Sequence, residues 1–112
     1  MLTSVFIGCI MKVKYKKSAN SLYIYLYGEL DEYSAVTVKK ELDAIIENNS
    51  IVNKVVFDMS GVSFMDSTGI GMFLGRYKKI SAYKIPIFIA GVSGSIEKIF
   101  EISGLFRLMP KI

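Results

Sequence analysis

The sequence contains no histidine and no tryptophan, and it has one cysteine, Cys9, among 112 residues. Imidazole is the usual general base for a serine or cysteine nucleophile, so its absence excludes the common Ser-His-Asp and Cys-His arrangements. A single thiol without histidine forms neither an internal disulfide nor an ordinary metal site. We therefore expect a cytoplasmic protein that is not an enzyme and holds no metal.

Motifs for nucleotides, membranes and nucleic acids are missing as well. No G-x-x-x-x-G-K-[ST] sequence is present, and Gly69-x-Gly71 continues to Leu74 where a dinucleotide-binding fingerprint has its third glycine. The apolar residues 2–10 are too short to cross a bilayer and lack the basic start of a signal peptide. The net charge is +4, but the lysines are spread along the chain. The sequence thus predicts no nucleotide cofactor, no membrane span and no nucleic-acid partner.

The composition is that of one globular domain. Hydrophobic residues make up 52% of the chain and charged residues 21%, enough for one core without disulfide or metal. The mean hydropathy of +0.41 is high for a small soluble domain and indicates apolar surface that a partner covers. Because a strand pattern begins at Met11, we predict an N-terminal extension in residues 1–10 and a single domain in residues 11–112.

Apolar patterns predict four or five strands. Residues 11–15 alternate apolar side chains with lysines, as an edge strand does. Residues 22–27 are apolar on both faces, as a central strand is. The remaining predicted strands are residues 52–58, which continue after a break at Ser60-Gly61 through residues 62–65, residues 86–90 and residues 105–109.

Apolar spacings of three and four residues predict three helices, in residues 35–47, 67–82 and 95–102. Ser34 is the predicted N-cap of the first helix. On the second, Gly71 and Gly75 lie one turn apart, where we favour close packing on the sheet over a partner groove. A hairpin followed by alternating helices and strands predicts an α/β fold. Its sheet is mixed, with an antiparallel N-terminal edge strand and parallel central strands joined by crossover helices.

The stretch Met65-Asp66-Ser67-Thr68-Gly69-Ile70-Gly71 lies where a strand pattern ends and a helix pattern begins. Ser67 is therefore predicted at a helix N-terminus, where free N–H groups and the helix dipole favour a phosphate. The two glycines keep bulky side chains away from its hydroxyl. The same residues are also ordinary helix-capping chemistry, and these few residues alone do not distinguish a site from a cap.

Loops that follow parallel strands gather at one edge of the sheet, and α/β proteins typically bind ligands there. Residues 28–33, 58–68 and 91–93 are predicted at that edge, which brings Asp31 near Ser67. The alternative role for Asp31 is to cap its own helix. The sequence leaves both roles open.

Four blocks of the sequence resemble the STAS-domain anti-sigma factor antagonists. The blocks are Gly28-Glu29-Leu30-Asp31, residues 63–71 (SFMDSTGIG), residues 74–78 (LGRYK) and residues 100–106 (FEISGLF). The resemblance spans residues 11–109 and implies the STAS fold. Members of that family usually continue into a C-terminal helix after the last strand, and we expect this chain, which ends at Ile112, to lack that helix.

The resemblance implies a non-catalytic regulator of transcription, of the kind that acts in sporulation. In this family the unmodified antagonist binds an anti-sigma factor, which is also a serine kinase, and so frees a sigma factor. The kinase phosphorylates the first serine after the aspartate, here Ser67, and a serine phosphatase removes the phosphate.

We predict a monomer that binds its partner through one surface. The residues predicted to form that surface are Asp31, Asp66, Ser67, Thr68, Gly69 and Gly71. The alternative function is a STAS module that binds a partner or a small ligand without a phosphate switch. A hydrolase that uses Ser67 is a third and weaker hypothesis.

Overall fold

The computed structural model describes the backbone of residues 2–7 and 11 and the whole of residues 12–112. Five strands lie side by side in chain order, namely β1 (Leu2–Ile7), β2 (Met11–Ser18), β3 (Ser21–Leu30), β4 (Lys54–Met65) and β5 (Ile87–Ala90). The helices of this part of the chain are α1 (Glu32–Asn48), α2 (Ser67–Ser81), α3 (Gly94–Ser103) and α4 (Leu105–Leu108). Residues 1 and 8–10, which include Cys9 and part of the predicted extension, lie outside the described residues.

The sheet is mixed, as predicted. β1, β2 and β3 run antiparallel, whereas β3, β4 and β5 run parallel and are joined by the crossover helices α1 and α2. The sheet begins with an antiparallel N-terminal edge strand, but that strand is β1 and not residues 11–15. β1 pairs along the outer side of β2 from Leu2 opposite Lys16 to Ile7 opposite Met11.

β4 is one strand, although its sequence predicted a break at Ser60-Gly61. Its register with β3 shifts opposite Tyr25 to Tyr27 and again near Gly28, so the turn-forming residues lie in bulges. A Cβ atom on Gly61 would lie 2.3 Å from Cδ1 of Tyr27, so a residue without a side chain is needed at this position. The bulges carry β4 on to Met65, directly before the candidate site.

Residues 105–109, predicted as a strand, form α4 instead. Gly104 has a φ of 77° and ends α3 in the left-handed conformation that favours glycine. Leu105 and Met109 are buried, whereas Arg107 between them is exposed, which fits one face of a helix and not the two-residue alternation of a strand. The chain returns to the sheet at Lys111, which forms a single parallel bridge with Ile89.

A chain of phenylalanine rings in the core fixes α2 against the sheet. The ring of Phe73 on α2 lies edge-on to Phe57 of β4, with centroids 5.4 Å apart, and 5.5 Å from Phe100 of α3. Phe106 of α4 stacks on Phe100 at 5.4 Å. Because Phe57, Phe73 and Phe100 are fully buried, these contacts hold the middle of α2 against β4 and α3.

Replacing Phe73 with alanine is expected to lower the free energy of unfolding by about 3–5 kcal/mol, because a large buried ring is lost and a cavity remains. Urea denaturation followed by circular dichroism measures this change. Tyr33→Ala is the control, since Tyr33 is 80% exposed and its loss should change stability by less than about 0.5 kcal/mol. Equal midpoints for Phe73→Ala and the wild type would contradict this description of the core.

Candidate functional site

Two helices begin side by side at one edge of the sheet. Leu30 and Met65 are paired neighbours at the ends of β3 and β4, and the next residues, Asp31 and Asp66, are the N-caps of α1 and α2. The N–H of Asp66 donates a hydrogen bond to the carbonyl of Leu30 at 3.3 Å. The positive ends of two helix dipoles therefore lie next to each other at this edge.

Ser67 is the first residue of α2, which confirms its predicted place at a helix start. Oδ1 of Asp66 accepts a hydrogen bond from the N–H of Thr68 at 2.9 Å, so Asp66 is a true cap. Ser67 and Thr68 are both exposed. The arrangement presents a hydroxyl to solvent beside a carboxylate and the N–H groups of the first helical turn.

Asp31 caps α1, which is one of the two roles that the sequence left open. Its Oδ1 accepts hydrogen bonds from the N–H groups of Tyr33 at 2.9 Å and Ser34 at 3.0 Å. Ser34 Oγ accepts from the N–H of Asp31 at 3.1 Å and donates to the carbonyl of Glu29 at 2.9 Å. The prediction that Ser34 is the N-cap is wrong, because Ser34 is the third helical residue and completes a capping box.

The glycines of the central stretch have different surroundings. A Cβ atom on Gly69 would lie 2.4 Å from Cγ of Met65 and 3.2 Å from Cδ2 of Leu30, so Gly69 packs on the strand ends. Among the described residues, a Cβ atom on Gly71 or Gly75 would meet no atom within 4 Å apart from its chain neighbours and the nearby backbone of its own helix. The prediction that Gly71 and Gly75 pack closely on the sheet is therefore wrong, and both face open space.

That open space is a groove between α1 and α2 with a volume of about 350 Å³. The residues that define this α1–α2 groove are Val36 and Lys39 of α1 and Thr68, Gly71, Gly75 and Arg76 of α2. Sequence reasoning missed Lys39 and Arg76. Arg76 belongs to the LGRYK block, so the sequence did single out this stretch. Its position in the groove, however, depends on where the neighbouring helix α1 lies.

Ion pairs join the two helices towards their C-terminal ends. Nε of Arg76 lies 2.8 Å from Oδ1 of Asp43, and Nζ of Lys79 lies 2.6 Å from Oε1 of Glu47. The hydrogen bond to Glu47 raises the pKa of Lys79. Around the groove, Val36 is 61% exposed, so apolar surface lies open to solvent near the Ser67 edge, in agreement with the high mean hydropathy.

Residues 91–93, predicted at the same edge as residues 58–68, begin beside the start of that stretch, where Gly91 lies against Asp58 and Ser60. Ala90, at the end of β5, pairs with Asp58, and a Cβ atom on Gly91 would lie 2.9 Å from Oδ1 of Asp58. β4 continues past that pair through residues 59–65, roughly 20 Å of strand. The candidate site is therefore built by the ends of β3 and β4 and the helices that follow them.

Within residues 12–112, no three histidine, cysteine, aspartate or glutamate side chains are grouped so that they could hold a metal ion. None of the helices in these residues has the length and apolarity that crossing a bilayer requires.

A model of the STAS domain family matches residues 12–112. The anti-sigma F factor antagonist of Paenibacillus polymyxa is 29% identical over 100 residues, which cover 89% of this chain and 85% of that protein. The anti-sigma-B factor antagonist of Listeria monocytogenes is 33% identical over 90 residues, with coverages of 80% and 77%.

Solved structures of the anti-sigma factor antagonist SpoIIAA are also similar. The unphosphorylated form has a TM-score of 0.74 and 26% identity, over 89% of this chain and 87% of that one. The phosphorylated form, from Bacillus, has a TM-score of 0.67 and 26% identity, with coverages of 89% and 90%.

Alanine substitutions at Gly69 and Gly71 are expected to change stability in opposite directions. Gly71→Ala should raise the free energy of unfolding by about 0.5–1 kcal/mol, because alanine favours the helix and its methyl group meets no atom. Gly69→Ala should lower it by about 1–3 kcal/mol through overpacking against Met65. Urea denaturation of the two variants tests this contrast, and stabilisation by both would show that Gly69 is not tightly packed.

Proposed function

The chain belongs to the STAS domain family and, within it, to the anti-sigma factor antagonists, and on that premise we propose that it binds an anti-sigma factor at the edge where α1 and α2 begin. The observation that carries this proposal is the exposed Ser67 at the first position of α2, beside the start of α1. Binding takes the anti-sigma factor away from a sigma factor, which is thereby freed. The chain is thus a non-enzymatic, cytoplasmic regulator of transcription, with sporulation as its process.

Ser67 is the proposed switch, phosphorylated by the anti-sigma factor acting as a serine kinase and restored by a phosphatase. A phosphate adds about 1.5–2 negative charges. The free N–H groups and the dipole of α2 accommodate that charge, so the fold survives. At a docked surface next to Asp66 the same charge is repelled and desolvated, so the complex dissociates. Support comes from SpoIIAA, which has been solved in a phosphorylated form.

An unswitched STAS module, which binds a partner or small ligand without phosphorylation, is the second candidate. The α1–α2 groove favours it, because the groove offers a binding surface in addition to the Ser67 hydroxyl. Incubation with ATP and each purified anti-sigma factor of the source organism, followed by mass spectrometry, separates the two. One phosphate on Ser67 supports the switch, whereas tight binding without phosphate supports the module.

Ser67→Asp is expected to bind the anti-sigma factor at least tenfold more weakly than the wild type, a loss of about 1.4 kcal/mol. Ser67→Ala should bind as the wild type does but resist release by ATP. Because the effect is electrostatic, the Ser67→Asp defect should shrink as salt lowers the Debye length from about 8 Å to about 3 Å. Isothermal titration calorimetry, at the two salt concentrations that give these Debye lengths, measures the affinities. Equal affinity of the wild type and its phosphorylated form would exclude the switch.

Asparagine and alanine at position 31 separate capping from binding. Asn caps a helix about as well as Asp, so Asp31→Asn should keep the melting temperature and weaken partner binding through loss of charge. Asp31→Ala should also lose about 1 kcal/mol of stability. Thermal unfolding and calorimetric titration of both variants provide the two readouts. If Asp31→Asn binds as tightly as the wild type, Asp31 is only a cap.

A further inference from the structure

We propose that the α1–α2 groove binds an aliphatic side chain of the anti-sigma factor together with a neighbouring carboxylate, which pairs with Lys39. The inference rests on the proposed function, because it takes the anti-sigma factor as the partner that docks beside Ser67. The groove is a second contact region, which runs along α1 and α2 away from the Ser67 edge. The proposal also states which chemical groups of the partner this region binds.

Arg76 places a positive charge beneath the groove. The residue is only 5% exposed, and its Nε atom forms an ion pair with Oδ1 of Asp43 at 2.8 Å. Its Nη1 atom is buried without a hydrogen-bond partner among residues 12–112. Burial lowers the pKa of Arg76, against the opposing effect of Asp43. Atoms buried this deeply make no direct contact with a docked partner, so Arg76 attracts a carboxylate at the rim of the groove through its charge alone.

The rest of the groove suits an apolar group. Gly71 and Gly75 leave the surface of α2 uncovered over one helical turn, and Val36 forms part of the facing wall on α1. An apolar side chain that enters this space gains about 25 cal/mol for each Å² of apolar surface that it removes from water. A partner can approach closely because no Cβ atom projects from either glycine.

The charges around the groove favour an acidic partner. Lys39 is exposed, lines the groove and forms no ion pair within residues 12–112. The carboxylates farther along α1, on Asp43 and Glu47, lie beside Arg76 and Lys79. Thr68 also lines the groove, so it opens next to Ser67 and is continuous with the proposed docking edge.

Filling the groove tests the apolar part of the proposal. Gly75→Leu is expected to weaken binding of the purified anti-sigma factor at least tenfold, measured by calorimetry, while the melting temperature stays equal or rises. Ala44→Leu is the matched control, since it adds a leucine at an exposed position of α1 outside the groove, and it should bind as the wild type does.

Charge reversal tests the acidic part. Lys39→Glu should weaken binding at least fivefold, whereas Lys40→Glu, with the same change in net charge at an exposed neighbour outside the groove, should change it less than twofold.

If the wild type binds the anti-sigma factor and both Gly75→Leu and Lys39→Glu bind it as tightly as the wild type does, the groove proposal is wrong and the proposed function stands. If the wild type binds no anti-sigma factor, both are wrong. If Gly75→Leu instead dissociates a wild-type dimer on gel filtration and leaves anti-sigma affinity unchanged, a second copy occupies the groove and the proposal is overturned.

Discussion

The parallel pairing of β3 with β4 up to Leu30 and Met65 is the constraint on which the candidate site depends. Each strand leads directly into a helix, so this pairing sets the two N-caps, Asp31 and Asp66, beside each other. A slip of one residue would turn Met65 out of the core and remove the surface on which Gly69 packs. The Ser67 hydroxyl is thus placed by backbone pairing and by one close glycine contact, and not by a network of polar side chains.

Features set by nearby residues were predictable from the sequence. The apolar spacing after Met65 predicted α2 and the position of Ser67, because a helix start depends on a few adjacent residues. Features set by distant residues were not. Whether Gly71 packs on the sheet or borders a groove depends on where α1 lies. Two other features are local but ambiguous in the sequence. Asp31 and Ser34 both suit an N-cap, and the hydrogen bonds that Asp31 accepts from the first turn of α1 decide between them. The apolar run at Leu105 also fits a strand, but the left-handed Gly104 starts a helix there instead.

The facing surfaces of α1 and α2 contain residues that make the fold less stable than it could be. Glycine within a helix is less favourable than alanine by about 0.5–1 kcal/mol, and α2 has glycine at positions 71 and 75 with room for a methyl group at both. The charged side chain of Arg76 is buried in the same place. Natural proteins commonly retain such local losses where binding requires them. Under the groove proposal, their occurrence in one groove connects the stability of α2 with recognition of a partner.

The pairing of Leu30 with Met65 has a further consequence for the timing of folding. These residues lie far apart in sequence, with all of α1 between them, and long-range parallel pairs form slowly because the intervening loop must close first. A nascent or partly folded chain displays the D-S-T-G residues but not the joined helix starts around them. Under the proposed switch, an enzyme that recognises that joined surface would modify only completed molecules, and chains still emerging from the ribosome would not compete for it.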